Sequence, residues 1–197
     1  MRYLCAVLLI LMCASPALSQ VDESLESQLN AQVAAYQGKV ALYATDVRTG
    51  KSVAINADTP VPTASVIKLT ILFEALKQIE AGTVHFDDTL TLKKGDQVPG
   101  SGVLRLFDTP RTLTLRDALA LMIDLSDNTA TNLVIDHLGL ANIDARIQWM
   151  GLRKTWLYKK VFQPASGPMP ADQKQFGLGK TTAREMASVM QRFLTCD

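Results

Sequence analysis

The sequence predicts a mixed α/β domain in which helices outnumber strands. Three observations lead there. Two strand-like runs, 40–47 and 52–57, flank Arg48-Thr49-Gly50-Lys51, a hairpin turn with Gly50 at positive φ. About six further segments repeat apolar residues at helical spacing and stop at glycines or start at caps. One of them, 65–81, is apolar on nearly every face, the pattern of a helix buried all round.

In order, 22–37 reads as a helix with Leu25, Leu29, Val33 and Tyr36 on one face, Asp22 as its cap and Gly38 as its stop. The hairpin follows. Pro60 and Pro62 then hold off any helix before Thr63. The buried helix from Ser65 ends at Gly82. Residues 83–96 are polar, with a short alternation in Thr89-Leu90-Thr91-Leu92, and Pro99-Gly100-Ser101-Gly102 is rich in turn residues. Thr114 and Asp117 form a capping box for a helix that ends at Leu125. Helices over 129–138 and 143–150 follow, closed by Gly139 and Gly151. Residues 152–180 carry three prolines and no clear period, which marks a functional or mobile loop. Thr182 and Glu185 read as a second capping box before the last helix. No internal repeat is visible. The two strands are too few, because a lone hairpin is marginal in water.

The 197 residues suit one domain, with 48% apolar and 20% charged residues, both ordinary for a globular fold. A net charge of +1 does not suggest a nucleic-acid or anionic-membrane partner. Residues 1–19 read as an export signal: Arg2, then an apolar run from Leu4 to Met12, then Ala17-Leu18-Ser19 before the cleavage point. The run is too short to span a bilayer, and no later run is longer. A periplasmic or secreted domain over 20–197 is therefore expected. A lipoprotein through Cys5 or Cys13 is the lesser alternative, since Met12 is bulky beside Cys13. Removal of the signal leaves Cys196 alone, so no internal disulfide can form. No Cys-x-x-Cys pair exists, and His85 and His137 stand apart, so no metal site is expected. Gly177-Leu178-Gly179-Lys180-Thr181 lacks the first glycine of a phosphate loop.

The chemistry starts at Pro62-Thr63-Ala64-Ser65-Val66-Ile67-Lys68-Leu69. A serine needs a base within hydrogen-bond reach to act as a nucleophile. Lys68 lies three residues on, one turn above Ser65, and burial would lower its pKa toward a usable base. Alone, Ser-x-x-Lys is weak, since it arises by chance about once in a chain this long. Ser126-Asp127-Asn128 adds weight: it is the only Ser-x-Asn, and it sits at a corner between two helices.

With both motifs in place, the chain resembles the penicillin-recognising serine hydrolases, and within them the class A β-lactamases. The likeness extends through Gly100-Ser101-Gly102-Val103-Leu104, Leu113-Thr114-Leu115-Arg116-Asp117, Leu121-Met122-Ile123, Thr129-Ala130-Thr131-Asn132 and Thr181-Thr182-Ala183-Arg184-Glu185-Met186-Ala187. It implies an α+β sandwich, a helical lobe packed on an antiparallel sheet. It implies that Ser65 is acylated by the lactam carbonyl, that Lys68 takes the serine proton directly or through water, and that Ser126 protonates the leaving nitrogen. Asn128, with Gly100 and Ser101, would bind substrate; Asp127 would tie the corner; the Ser65 N–H would be an oxyanion donor. The substrate would be a small β-lactam, with no cofactor, and the protein a monomer.

Two departures from the family pattern stand out. The family places a deacylating glutamate on the loop before the last helix. Here 147–184 holds no Glu, its only Asp is Asp172, and the counterpart segment Leu157-Tyr158-Lys159-Lys160-Val161-Phe162-Gln163-Pro164 offers only Gln163, which is no base. The family's Lys-Thr-Gly strand, with its oxyanion donor and further sheet strands, has no counterpart before Asp197; Lys180-Thr181-Thr182 reads as the lead-in to a helix, not a strand. A C-terminally truncated chain is the expectation. The alternatives to a lactamase are a D,D-peptidase or esterase on the same scaffold, or a penicillin-binding protein that is acylated without turnover or is inactive.

Overall fold

The computed structural model describes residues 20–21 and 23–195. The leader, Cys5, Cys13, the Asp22 cap and Cys196 lie outside the described residues. The fold is mixed α/β, with a helical lobe and small sheets around it. β1 (Gln20–Val21) precedes α1 (Glu23–Ala35) and the hairpin of β2 (Leu42–Thr45) and β3 (Lys51–Ile55). β3 is the middle strand, antiparallel to β2 with Leu42 opposite Ile55, and parallel to β1. The turn closes as expected. The Asp46 carboxylate accepts the Arg48 and Thr49 N–H groups at 2.8 and 3.2 Å, and Gly50 takes φ +73°.

β4 (Val61–Pro62) leads into a 3₁₀ turn over Ala64–Ile67 and then α2 (Lys68–Glu80). The expected helix from Ser65 thus begins as a tighter turn, in which residues three apart eclipse one another and Ser65 comes to stack under Lys68. β5 (Thr89–Leu92) pairs antiparallel with β6 (Arg111–Thr114), burying Leu90 and Leu92 and exposing Thr89 and Thr91. β6 carried no strand signal of its own. α3 (Leu115–Asp124) starts at the expected box: Thr114 Oγ1 accepts the Asp117 N–H at 3.1 Å, and the Asp117 carboxylate accepts from Thr114. α4 (Asn128–Leu138) and α5 (Leu140–Trp149) meet at Gly139, at φ +85°, so α5 begins earlier than the sequence suggested.

The stretch read as irregular contains β7 (Trp156–Leu157), α6 (Gln173–Phe176) and β8 (Gly179–Thr181), before α7 (Ala183–Thr195). This corrects the reading of Lys180-Thr181. They lie in β8, the central strand of a sheet in order β4-β8-β7, with Val61 opposite Thr181 and Leu157 opposite Gly179. Three residues are too few to display a period, and Gly179 is required because a Cβ there would strike the Trp156 carbonyl oxygen. The second capping box is half formed. Thr182 Oγ1 accepts the Glu185 N–H, but the Glu185 carboxylate turns to Lys154 N at 3.0 Å and Thr155 Oγ1 at 2.6 Å. Among the described residues the strands form three small sheets, antiparallel except for the β1–β3 pair.

α2 is the central helix, packed by α3, α4, α5 and α7. Ile67, Ile71, Met122, Val134, Ile143 and Ile147 are fully buried around it. Each such side chain contributes about 1.5–3 kcal/mol. Glu74 is a buried carboxylate of α2. It accepts from Arg146 Nε and Gln78 Nε2, both at 2.7 Å, which joins α2 to α5 without leaving a buried charge unpaired.

Candidate active site

Ser65 sits on the exposed outer side of the 3₁₀ turn, with Ala64 before it at φ +42°. That is a left-handed backbone in a residue that resists it. The turn is anchored from behind: the Thr63 N–H donates to the Gly179 carbonyl at 2.9 Å, so β8 seats the Ser65 segment.

Ser126 reaches the same place from the other side. Leu125 C-caps α3, Ser126 turns left-handed at φ +52°, and Asp127 N-caps α4 by accepting the Ala130 N–H at 2.9 Å. The other Asp127 oxygen accepts the Val103 and Leu104 N–H groups at 2.6 and 2.9 Å. Asp127 is thus a buried carboxylate satisfied by three backbone donors, and it holds the corner. Gly102 must be glycine there, because at φ +104° any Cβ would collide with the Asp127 carboxyl. The Asn128 N–H donates to the Ser101 carbonyl and its Nδ2 to the Pro99 carbonyl, both at 3.1 Å. This draws the Gly100-Ser101 segment alongside α4.

Lys68 is 3% exposed and donates to three acceptors: Ser126 O at 2.7 Å, Ser126 Oγ at 2.9 Å and Asn128 Oδ1 at 3.2 Å. Ser126 Oγ in turn bonds Ser65 Oγ at 2.9 Å. The polar chain therefore runs Ser65–Ser126–Lys68, with the Ser126 hydroxyl between the Ser65 hydroxyl and the amine. Burial lowers the Lys68 pKa from the ordinary 10.5, partly opposed by the Asp127 carboxylate. A buried amine with a lowered pKa, two hydroxyls and a strained turn can carry out proton transfer and acyl transfer.

A cleft of about 340 Å³ opens over Ser65, lined also by Asn128, Lys159, Val161 and Phe162. The loop residues reach it through Asn132, one turn beyond Asn128 on α4. Its Nδ2 donates to Val161 O at 2.9 Å and its Oδ1 accepts Val161 N–H at 2.8 Å. Lys160 adds an ion pair to Asp136 at 2.8 Å. Asp172, the loop's sole carboxylate, is elsewhere. It pairs with Lys180 and accepts from Tyr158 OH at 3.0 Å, and the Lys180 ammonium holds its carboxyl below the usual range. Neither Asp172 nor Gln163 lines the cleft. Asn132, Val161 and Phe162 were not singled out from sequence. The i, i+4 spacing of Asn128 and Asn132 was the one available signal.

His137 Nε2 meets Asp88 at 2.9 Å, and among the described residues no three His, Cys, Asp or Glu side chains gather as metal ligands. No described helix is long and apolar enough to cross a membrane.

A family profile described as the β-lactamase enzyme family matches residues 24–196. A β-lactamase of Rhodobacter capsulatus is 31% identical over 62% of this chain and 39% of its own. The β-lactamase regulatory protein BlaB of Streptomyces cacaoi is 29% identical over 55% of this chain and 35% of its own. The chain thus spans well under half the length of these relatives. Among solved structures, PBP-A superposes with a TM-score of 0.76 at 25% identity, covering 91% of this chain and 64% of that one. A mutant of PBP-A in an acyl-enzyme complex with penicillin G gives a TM-score of 0.77 at 26% identity.

Proposed function

The chain belongs to the β-lactamase enzyme family, and from that premise we propose that it is an exported serine hydrolase whose Ser65 is acylated by β-lactams. The observation that carries the reading is the hydrogen-bonded chain Ser65–Ser126–Lys68. Ser65 Oγ attacks the lactam carbonyl carbon as its proton moves to the Ser126 oxygen, and the Ser126 proton moves to the Lys68 amine. The carbonyl–nitrogen bond then breaks, and the same relay runs backward, so that Ser126 protonates the leaving nitrogen. The Ser65 N–H faces the developing oxyanion, and Asn128 and the Gly100-Ser101 backbone hold the substrate's acylamide. Periplasmic or extracellular action fits the leader read from 1–19.

One observation favours slow release. The loop residues lining the cleft over Ser65, Lys159, Val161 and Phe162, include no carboxylate to activate water for hydrolysis of the ester. Acyl-Ser65 then accumulates, and the protein behaves as a penicillin-binding protein. A chromogenic cephalosporin separates the readings. Many product molecules per protein signify a lactamase; a burst of one per protein with an acylated mass signifies slow release. Ser65→Ala should abolish both, and neither signal from folded wild-type protein would refute acylation.

A further inference from the structure

Phe162 is a large apolar residue left 63% exposed, and single exposed aromatics are ordinary on protein surfaces. Three other facts set it apart. Its backbone is left-handed at φ +55°, a conformation that costs an aromatic residue stability and persists only where the surroundings hold it. The surroundings do hold it: the preceding residue, Val161, is clamped by both amide atoms of buried Asn132. The ring lines the cleft over Ser65.

The ring also packs against Gly100. A Cβ at Gly100 would lie 2.6 Å from Asn128 Nδ2 and 3.2 Å from the Phe162 ring. The ring and the Asn128 amide therefore both pack against Gly100, close to one another, with no room for a side chain at 100. Gly100 also takes φ +89°, where glycine is favoured in its own right.

We infer that Phe162 is a specificity-determining residue: its ring receives an aromatic or apolar group on the acyl side chain of the substrate. The inference rests on the acylation reading above. A substrate whose acylamide bonds Asn128 has its side chain leaving that amide toward the adjoining ring. A flat aromatic group gains from an offset or edge-to-face contact with Phe162, beyond the area it buries. The strain at Phe162 is the cost of keeping the ring at the cleft mouth instead of packed in the core.

The test compares second-order acylation constants for benzylpenicillin, which carries a phenylacetyl group, and 6-aminopenicillanic acid, which carries none. In Phe162→Gly, which removes the ring and accepts positive φ without strain, the ratio of the two constants should fall about three- to tenfold. Phe162→Tyr should keep the wild-type ratio. An unchanged ratio in Phe162→Gly, or an equal fall in both constants, overturns the inference. If wild-type protein is acylated by neither compound, the acylation reading fails separately. The subsite is then judged in Ser65→Ala by NMR titration with phenylacetylglycine and acetylglycine. Preference for the phenyl compound, lost in Ser65→Ala/Phe162→Gly, supports it, and equal binding of the two overturns it.

Discussion

Lys68 illustrates how much a single residue changes on folding. In sequence it is one of 20 Lys and Arg residues; folded, it is a buried amine whose donors all go to Ser126 and Asn128. On the acylation reading, its lowered pKa should set the pH dependence. The protonated amine cannot take the Ser65 proton, so acylation rises with pH through the Lys68 pKa, on a limb below the ordinary lysine value. Rates of benzylpenicillin acylation from pH 5 to 10 check this. In Lys68→Met the rate should fall by about 10²–10⁴ and lose that limb. A limb that survives the substitution would assign it to another group. Both motif serines and the lysine were legible in the sequence, because short motifs carry their chemistry in residue identity. What spacing could not reveal is that Ser126 stands between Ser65 and Lys68.

At the scale of elements, the loop between α5 and α7 is shaped by α4. Asn132 fastens Val161, and Val161 with Phe162 becomes one side of the cleft. If release of acyl-Ser65 is limited by the lack of a base there, Val161→Glu should raise steady-state turnover of a chromogenic cephalosporin at least about tenfold, the acylation burst remaining. Burial would lift that glutamate's pKa, so the gain should grow as pH rises toward neutrality. An unaltered turnover would place the limit elsewhere. This loop was the least readable part of the chain. Helices with caps announced themselves, as at Thr114 and Asp117, and so did the hairpin with its Gly50. β6 and β8 did not, because a strand of three or four residues is defined by its distant partner and not by its own pattern. Val161 and Phe162 escaped for the same reason, since their positions follow from Asn132, not from any period.

At the scale of the whole molecule, stability should carry the mark of one carboxyl. Asp144 on α5 is pushed up from 3.8 to about 6 by burial, against a weak pull from the Leu157 N–H at 3.4 Å. Below about pH 4 its protonated form contributes in full. As pH rises from there through about 6, the folded state keeps a proton the unfolded chain has released, so stability falls and the contribution is gone above that window. Asp144→Asn should erase this fall: urea midpoints compared from pH 4 to 7 should diverge in favour of the variant as pH rises. A constant difference would refute it. The pairing of β4 with β8 has a consequence in time. Val61 and Pro62 leave the ribosome about 120 residues before Thr181 and Lys180, and distant pairings of this kind form late. Ser65, Lys68 and Ser126 are all made before the strand that seats the Ser65 turn. A nascent chain thus holds all three residues before the Ser65 turn is seated. The acylation proposed above then waits for β8 to pair with β4.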